Sequence, residues 1–207
     1  MHSFFSPDGP FNTFMTLLFD LVVLNVLWIV CCLPIITIGA STTALYTVML
    51  KRARNEEGYV IRGFFAAFKS NFRQSVPVTL ILIAITAVLS CDSLIVRQWD
   101  SSMGSIMLGL CYVAGIFAAA IFCYVWPLMA KFENSIGNMF NNAWRLAIAN
   151  LPQTIAMVVI NYLPLILFVF FTQIFIYVFV FWLLIGFSVA AYWSSKLLNP
   201  IFDRYTT

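Results

Sequence analysis

The sequence predicts an all-α, polytopic bundle of transmembrane helices forming a single membrane-embedded domain over residues 1–207, and three observations predict it. Hydrophobic residues make up 62% of the chain and charged residues 9%, against roughly 45–50% and 25% in soluble domains. The apolar residues come in runs of about twenty or more, the length of helix that crosses a hydrocarbon layer of about 30 Å. Those runs also lack the strict alternation of a membrane β-barrel, and lipid offers no partner to an unpaired backbone group, so spanning helices are what remain.

Apolar stretches cover residues 14–50, 76–96, 103–130, 151–172 and 174–198. The first would make a helix of about 55 Å, nearly twice the hydrocarbon thickness. Pro34 and Gly39 interrupt it, and Ala44, Leu45, Tyr46, Val48, Met49 and Leu50 are apolar all round rather than along one stripe. Two spans, 14–33 and 36–52, with an outside turn at Pro34 and Gly39, are therefore preferred, giving six in all. A five-span scheme lays residues 39–54 at the interface instead.

Charge fixes the orientation in both schemes. Lys51, Arg52, Arg54, Arg62, Lys69 and Arg73 crowd the first connection, Lys131 and Arg145 sit in the second, and Lys196 and Arg204 follow the last span. Only Arg97 falls on the other side, near Asp92 and Asp100. The positive-inside rule makes the basic connections and the C-terminus cytoplasmic. The N-terminus is then inside with six spans and outside with five. Residues 1–13 lack the basic start and small-residue cleavage site of a secretory signal, so the first apolar segment is expected to stay in the mature protein.

Both basic connections read as cytoplasmic amphipathic helices on the membrane surface. At about 100° per residue, Ile61, Phe64, Phe65, Phe68 and Phe72 share one face and Arg62, Lys69 and Arg73 the opposite one. In the second connection Ile136, Met139, Phe140, Ala143 and Ala147 oppose Asn138, Asn141, Asn142 and Arg145. Such helices either rest on lipid or dock a cytoplasmic partner, and Arg62, Lys69, Arg73, Glu133 and Arg145 are the candidate docking residues. The two connections also align with each other, Glu57 on Glu133, Phe64 on Phe140, Lys69 on Arg145 and Gly39 on Gly115, which implies a direct repeat of 27–96 and 103–172.

Little points to catalysis. The cysteines, Cys31, Cys32, Cys91, Cys111 and Cys123, lie within or beside apolar runs without C-x-x-C spacing and read as small buried hydrophobes; the sole histidine is His2. No phosphate loop, nucleophile elbow or zinc-helix motif is present. The expectation is a protein that is not an enzyme and takes no cofactor, metal or nucleic acid. Inside the first span lie Asp20 and Asn25. A carboxylate deep in lipid costs about 2.5–3.5 kcal/mol on the translocon scale, which makes Asp20 a functional candidate unless the helix places it at the interface. Asn25, Asn161 and Gln173 are suited to hydrogen bonds across helices. Glu133, followed later by Leu151-Pro152, is weakly similar to the coupling loop that seats ABC importer permeases on their ATPase, although Asn134-Ser135 stand where that loop has two alanines and Gly137 comes early.

The run Gly9-Pro10-Phe11, Asp20, Asn25-Val26-Leu27-Trp28, Cys32-Leu33-Pro34-Ile35-Ile36-Thr37-Ile38-Gly39, Ala44-Leu45-Tyr46, Asn55-Glu56-Glu57-Gly58 and Phe64-Phe65-Ala66-Ala67-Phe68-Lys69-Ser70-Asn71-Phe72 resembles the YesL-like family of bacterial membrane proteins. Its most specific part is N-x-x-W followed by L-P-x-x-T-x-G, and Ala40 stands where the family pattern has a proline. The resemblance implies a multi-pass protein of the bacterial plasma membrane and supplies no catalytic residues. It further implies, by the association of family members with carbohydrate ABC importers, an accessory membrane subunit or assembly factor for oligosaccharide import, with permease or ATPase subunits as partners beside the lipid bilayer. The alternatives are a small permease or channel using Asp20 and the asparagines, and a membrane-embedded regulator.

Overall fold

The computed structural model describes residues 10–56, 58–99 and 101–206. His2, Gly9, Glu57 and Asp100 lie outside the described residues. Among the described residues all regular structure is helical: α1 Pro10–Cys32, a 3-10 turn Ile35–Thr37, α2 Ile38–Arg52, α3 Val60–Val96, α4 Ser102–Lys131, α5 Ile136–Ala149, α6 Leu151–Phe170, α7 Thr172–Phe181, a π-helical segment Trp182–Gly186 and α8 Phe187–Thr206. Among the described residues five helices are long and apolar enough to cross a membrane: Phe11–Cys32, Val60–Val96, Ser102–Lys131, Leu151–Phe170 and the continuous rod Thr172–Tyr205.

The sixth expected span does form a helix, but a short one. With 15 residues α2 is about 22 Å long, short of the hydrocarbon layer, and it carries Ser41, Thr42, Thr43 and Thr47. It is enclosed by α1, α3, α4 and α8. Ala44, Leu45, Tyr46, Val48, Met49 and Leu50, apolar all round in sequence, are buried all round in the structure. Six full-length spans thus give way to five around a short buried helix.

Chain direction nevertheless alternates through α2. Trp28 Nε1 donates to Thr42 Oγ1 at 3.1 Å and Asp20 pairs with Arg52 at the other end, so α1 and α2 are antiparallel. Gly63 lies against Val48 while Gly39 lies against Thr79, which sets α3 antiparallel to α2. Gln74 donates to the Asn134 carbonyl where α4 returns, and Tyr124 meets Thr154 where α6 leaves. The C-terminal rod closes the circuit, with Asn199 Nδ2 donating to the Leu50 carbonyl at 3.1 Å and Arg54 pairing with Asp203. The start of α1 and the end of α8 therefore share one end of the bundle, the arrangement that an even number of passes requires.

The two amphipathic connections fold differently from each other. The first is no separate surface helix: α3 runs unbroken for 37 residues, about 55 Å, from Val60 through Pro77 to Val96. Its first turns bury Phe64 and Ala67 against α1 and α2 but leave Ile61, Phe65 and Phe72 exposed, so the apolar face is divided between core and surroundings. The second connection is the separate helix α5, begun by Ser135, whose hydroxyl accepts from Asn138 N at 3.4 Å. Met139, Ala143, Leu146 and Ala147 are buried against α4, α6 and α8, so protein takes up the stripe that was expected to rest on lipid.

Residues 33–39 make the first reversal. Thr37 donates its backbone N–H to the Pro34 carbonyl at 2.9 Å, and its hydroxyl reaches the Cys31 and Pro34 carbonyls at 2.5 and 2.6 Å. These bonds satisfy carbonyls that the end of α1 leaves without a helical donor. Gly39, expected in the turn, is instead buried in the first turn of α2; a Cβ there would stand 2.1 Å from Thr79 Oγ1 and 2.7 Å from the Trp126 ring. Gly115, its counterpart in the repeat, faces open space. Gly39→Ala should lower stability by about 1–3 kcal/mol through overpacking, and Gly115→Ala should leave it within about 0.5 kcal/mol of wild type. Thermal unfolding of the detergent-solubilised protein measures both.

Candidate functional site: buried polar ties and a basic end

Asn25 lies on the face of α1 turned toward the C-terminal rod and is fully buried. Its Nδ2 donates to the Leu183 carbonyl at 2.6 Å, and its Oδ1 accepts from Ser188 N at 3.0 Å. Those two backbone groups belong to the rod where it widens into the π-helical segment Trp182–Gly186. A widened turn leaves a carbonyl and an amide without regular helical partners, and the carboxamide supplies one donor and one acceptor to close the gap. The Ser188 hydroxyl reaches back to the Leu21 carbonyl at 2.6 Å, and the Trp28 ring packs at a tilt against Phe187, centroids 4.3 Å apart. The asparagine and tryptophan of the N-x-x-W stretch thus fasten α1 to the rod and to α2.

Asp20 has a partner that no apolar span supplied: Arg52 at the last turn of α2, with Nη2 2.8 Å from Oδ2 and side-chain exposures of 21% for Arg52 and 14% for Asp20. The arginine lies at the end of a helix that runs back along α1, so sequence separation hid the pair. Asn161 makes cross-helix bonds as its residue type suggested, donating to Ser194 Oγ at 2.9 Å and accepting from Tyr46 OH at 3.3 Å. Gln173 is exposed at the start of α7.

The charged docking candidates gather at the bundle end where α8 finishes, but not in one site. Arg62, Lys69 and Arg73 form an exposed ridge along α3. Arg62 also borders a cavity of about 370 Å³ with Lys51 and Arg52. Glu133 borders a larger, open groove of about 830 Å³ between α3 and the α4–α5 link, together with Lys51, Ser70, Asn71, Gln74 and Lys131. Arg145 faces a third hollow of about 330 Å³ with Asn142, Phe202 and Tyr205. Lys51, Gln74, Lys131 and Asn134 were not among the docking candidates read from sequence; Lys51 and Lys131, each closing an apolar run on the basic side, were the available signal. At the opposite end Arg97 donates to Tyr112 OH at 2.7 Å.

This arrangement makes Asn25 a structural tie with a measurable strength. Asn25→Ala removes two cross-helix hydrogen bonds in an apolar setting and is expected to cost about 1–2 kcal/mol. Asn25→Asp, which keeps the acceptor but loses the donor to Leu183, should not restore stability. Resistance of the solubilised protein to denaturant provides the comparison.

The segment that carries most of these ties is also the segment shared with other proteins. A family model described as "Protein of unknown function, DUF624" matches residues 21–93, which take in α1 from Leu21, the turn, α2 and α3 to Ser93. The chain is 27% identical over 150 residues to the "Uncharacterized protein YesL" of Bacillus subtilis (strain 168), a match covering 70% of each chain. No solved structure matches. The resemblance read from the N-x-x-W and L-P-x-x-T-x-G stretches is thereby supported: the chain is similar to YesL over most of its length, and the DUF624 model matches the segment from Leu21 in α1 through α2 to Ser93 in α3.

Proposed function

We propose that this chain is an accessory membrane subunit or assembly factor that docks a cytoplasmic partner at its basic end, and that carbohydrate ABC import is the setting. The observation that carries the docking reading is the groove of about 830 Å³ edged by Lys51, Gln74, Lys131 and Glu133. It mixes both signs of charge with amide and hydroxyl groups, which suits a protein surface better than a single small substrate. Glu133, at one edge of it, is the residue that gave the weak likeness to an importer coupling loop. The importer setting rests on what the family resemblance implies. The polar groups that a translocation path would need are engaged elsewhere, Asp20 with Arg52 and Asn25 with the rod backbone. Neither the site nor the motifs call for catalysis, so the proposal is a protein that is not an enzyme.

The orientation follows from charge. Ten of the eleven Lys and Arg residues belong to the segments assigned to one side by the positive-inside rule, and we place that end, with the C-terminus, in the cytoplasm of a bacterial plasma membrane. Single cysteines introduced at positions 62 and 145 in a cysteine-free background should escape an impermeant reagent added from outside, and a cysteine at position 98 should react. Reaction at 62 or 145 would reverse the topology.

For the docking itself, the test is affinity purification from crosslinked native membranes. Importer permease or ATPase subunits should be recovered with the wild-type protein, and Lys131→Glu combined with Glu133→Lys should lose them at an unchanged level of membrane insertion. Recovery of a homo-oligomer alone, or full retention of the subunits by the double variant, would sink the reading.

A further inference from the structure

The cavity of about 370 Å³ lies where the last turns of α2 meet the first turns of α3 and adjoins the crevice that Glu133 borders, sharing Thr47, Lys51, Gly63 and Ala66 with it. Lys51, Arg52 and Arg62 line it, with Glu56 the acidic residue on its described wall. Asp20 holds Arg52 through Nη2, and Arg52 Nε is buried with no hydrogen-bond partner among the described residues. Arg62 stacks on the Tyr59 ring at 5.4 Å. The N-terminus of α3 opens at the same place: Tyr59 provides no side-chain cap, which leaves the first amides of the helix available to an acceptor. The rest of the lining is apolar, including Val48, Val60 and Ala66. On the same turns of α3, Ile61 and Phe65 are 51% and 48% exposed.

These features together match a phosphate oxyanion attached to hydrocarbon. Cations and uncapped amides converge on one pocket, the pocket sits at the end of a transmembrane bundle, and exposed apolar side chains occupy the same turns of α3. Basic pockets between membrane helices on the cytoplasmic side are suited to anionic headgroups. A free phosphate ion offers the same oxyanion chemistry but has no use for the exposed Ile61 and Phe65 side chains. We propose that this cavity binds the phosphate of an anionic phospholipid headgroup, with the acyl chains lying along Ile61 and Phe65.

Native mass spectrometry of the full chain, released from detergent with phosphatidylglycerol, phosphatidylethanolamine or inorganic phosphate, tests the assignment. The wild type should retain phosphatidylglycerol over phosphatidylethanolamine, and Lys51→Gln with Arg62→Gln should lower that retention by about tenfold. Lys69→Gln with Arg73→Gln removes equal charge from the neighbouring ridge and should lower it by less than about twofold. Equal loss in both double variants, or equal retention of the two lipids, overturns the site. Displacement of phosphatidylglycerol by inorganic phosphate at equal concentration overturns the lipid assignment in favour of the free ion. Arg62→Gln alone, at an exposed position, is read in the same way if the double variant fails to fold.

Discussion

Enclosing α2 is the constraint on which the rest of the structure depends. A helix of 15 residues bearing a serine, three threonines, a lysine and an arginine is too short and too polar to face lipid along its length. Longer apolar helices shield it, so the bundle is arranged around it rather than in a simple row. Close approach is bought by small residues, with Gly39, Ala40 and Ala44 buried where α1, α3 and α4 crowd in. Without a hydrophobic driving force between helices in lipid, packing at such positions and hydrogen bonds across helices are the principal sources of cohesion.

The hydrogen bonds are spent on specific defects. Each reversal or widened turn leaves backbone groups that lipid cannot satisfy, and a side chain from another helix or from the turn itself answers each one: Thr37 at the end of α1, Asn25 at the π-helical segment, Asn199 at the Leu50 carbonyl near the end of α2. Charge behaves likewise. Arg52 and Arg54 find Asp20 and Asp203, so two acids that could have marked a conduction path or a solvated surface join α1, α2 and α8 at one end.

Much of this was legible in the sequence, for reasons that separate it from what was not. Apolar runs and the sidedness of Lys and Arg are local properties, and they gave the long helices and the clustering of charge at one end. The apolar face of α5 followed from its period, with Met139, Ala143 and Ala147 sharing it, but that face is buried in the bundle rather than laid on lipid. The fusion of residues 59–73 with the next span was hidden because the pattern changes from basic and amphipathic to wholly apolar near residue 76, although one helix can carry both, and Pro77 within it is tolerated where neighbours compensate. Gly39 was read as a turn residue, since its close neighbours Thr79 and Trp126 are remote in sequence. The partner of Asn25 was hidden for a deeper reason: it is a backbone irregularity at residues 183–188, and nothing in an unbroken apolar run announces where a helix will widen.

The matched segment, residues 21–93, holds α2 between most of α1 and α3, while the surfaces that answer its unsatisfied groups lie largely outside it. Leu183, Ser188, Asn199 and Asp203 all belong to the C-terminal rod, and each meets a residue between 21 and 54. The N-terminal unit therefore presents a set of polar demands along one side, and the rod is shaped to meet them, including the widened turn that makes room for Asn25. A unit with such demands can be reused only with a rod that satisfies them, since an unanswered carbonyl or amide in lipid costs several kcal/mol. On this view the π-helical segment and the N-x-x-W stretch form a single structural feature divided between two distant parts of the chain.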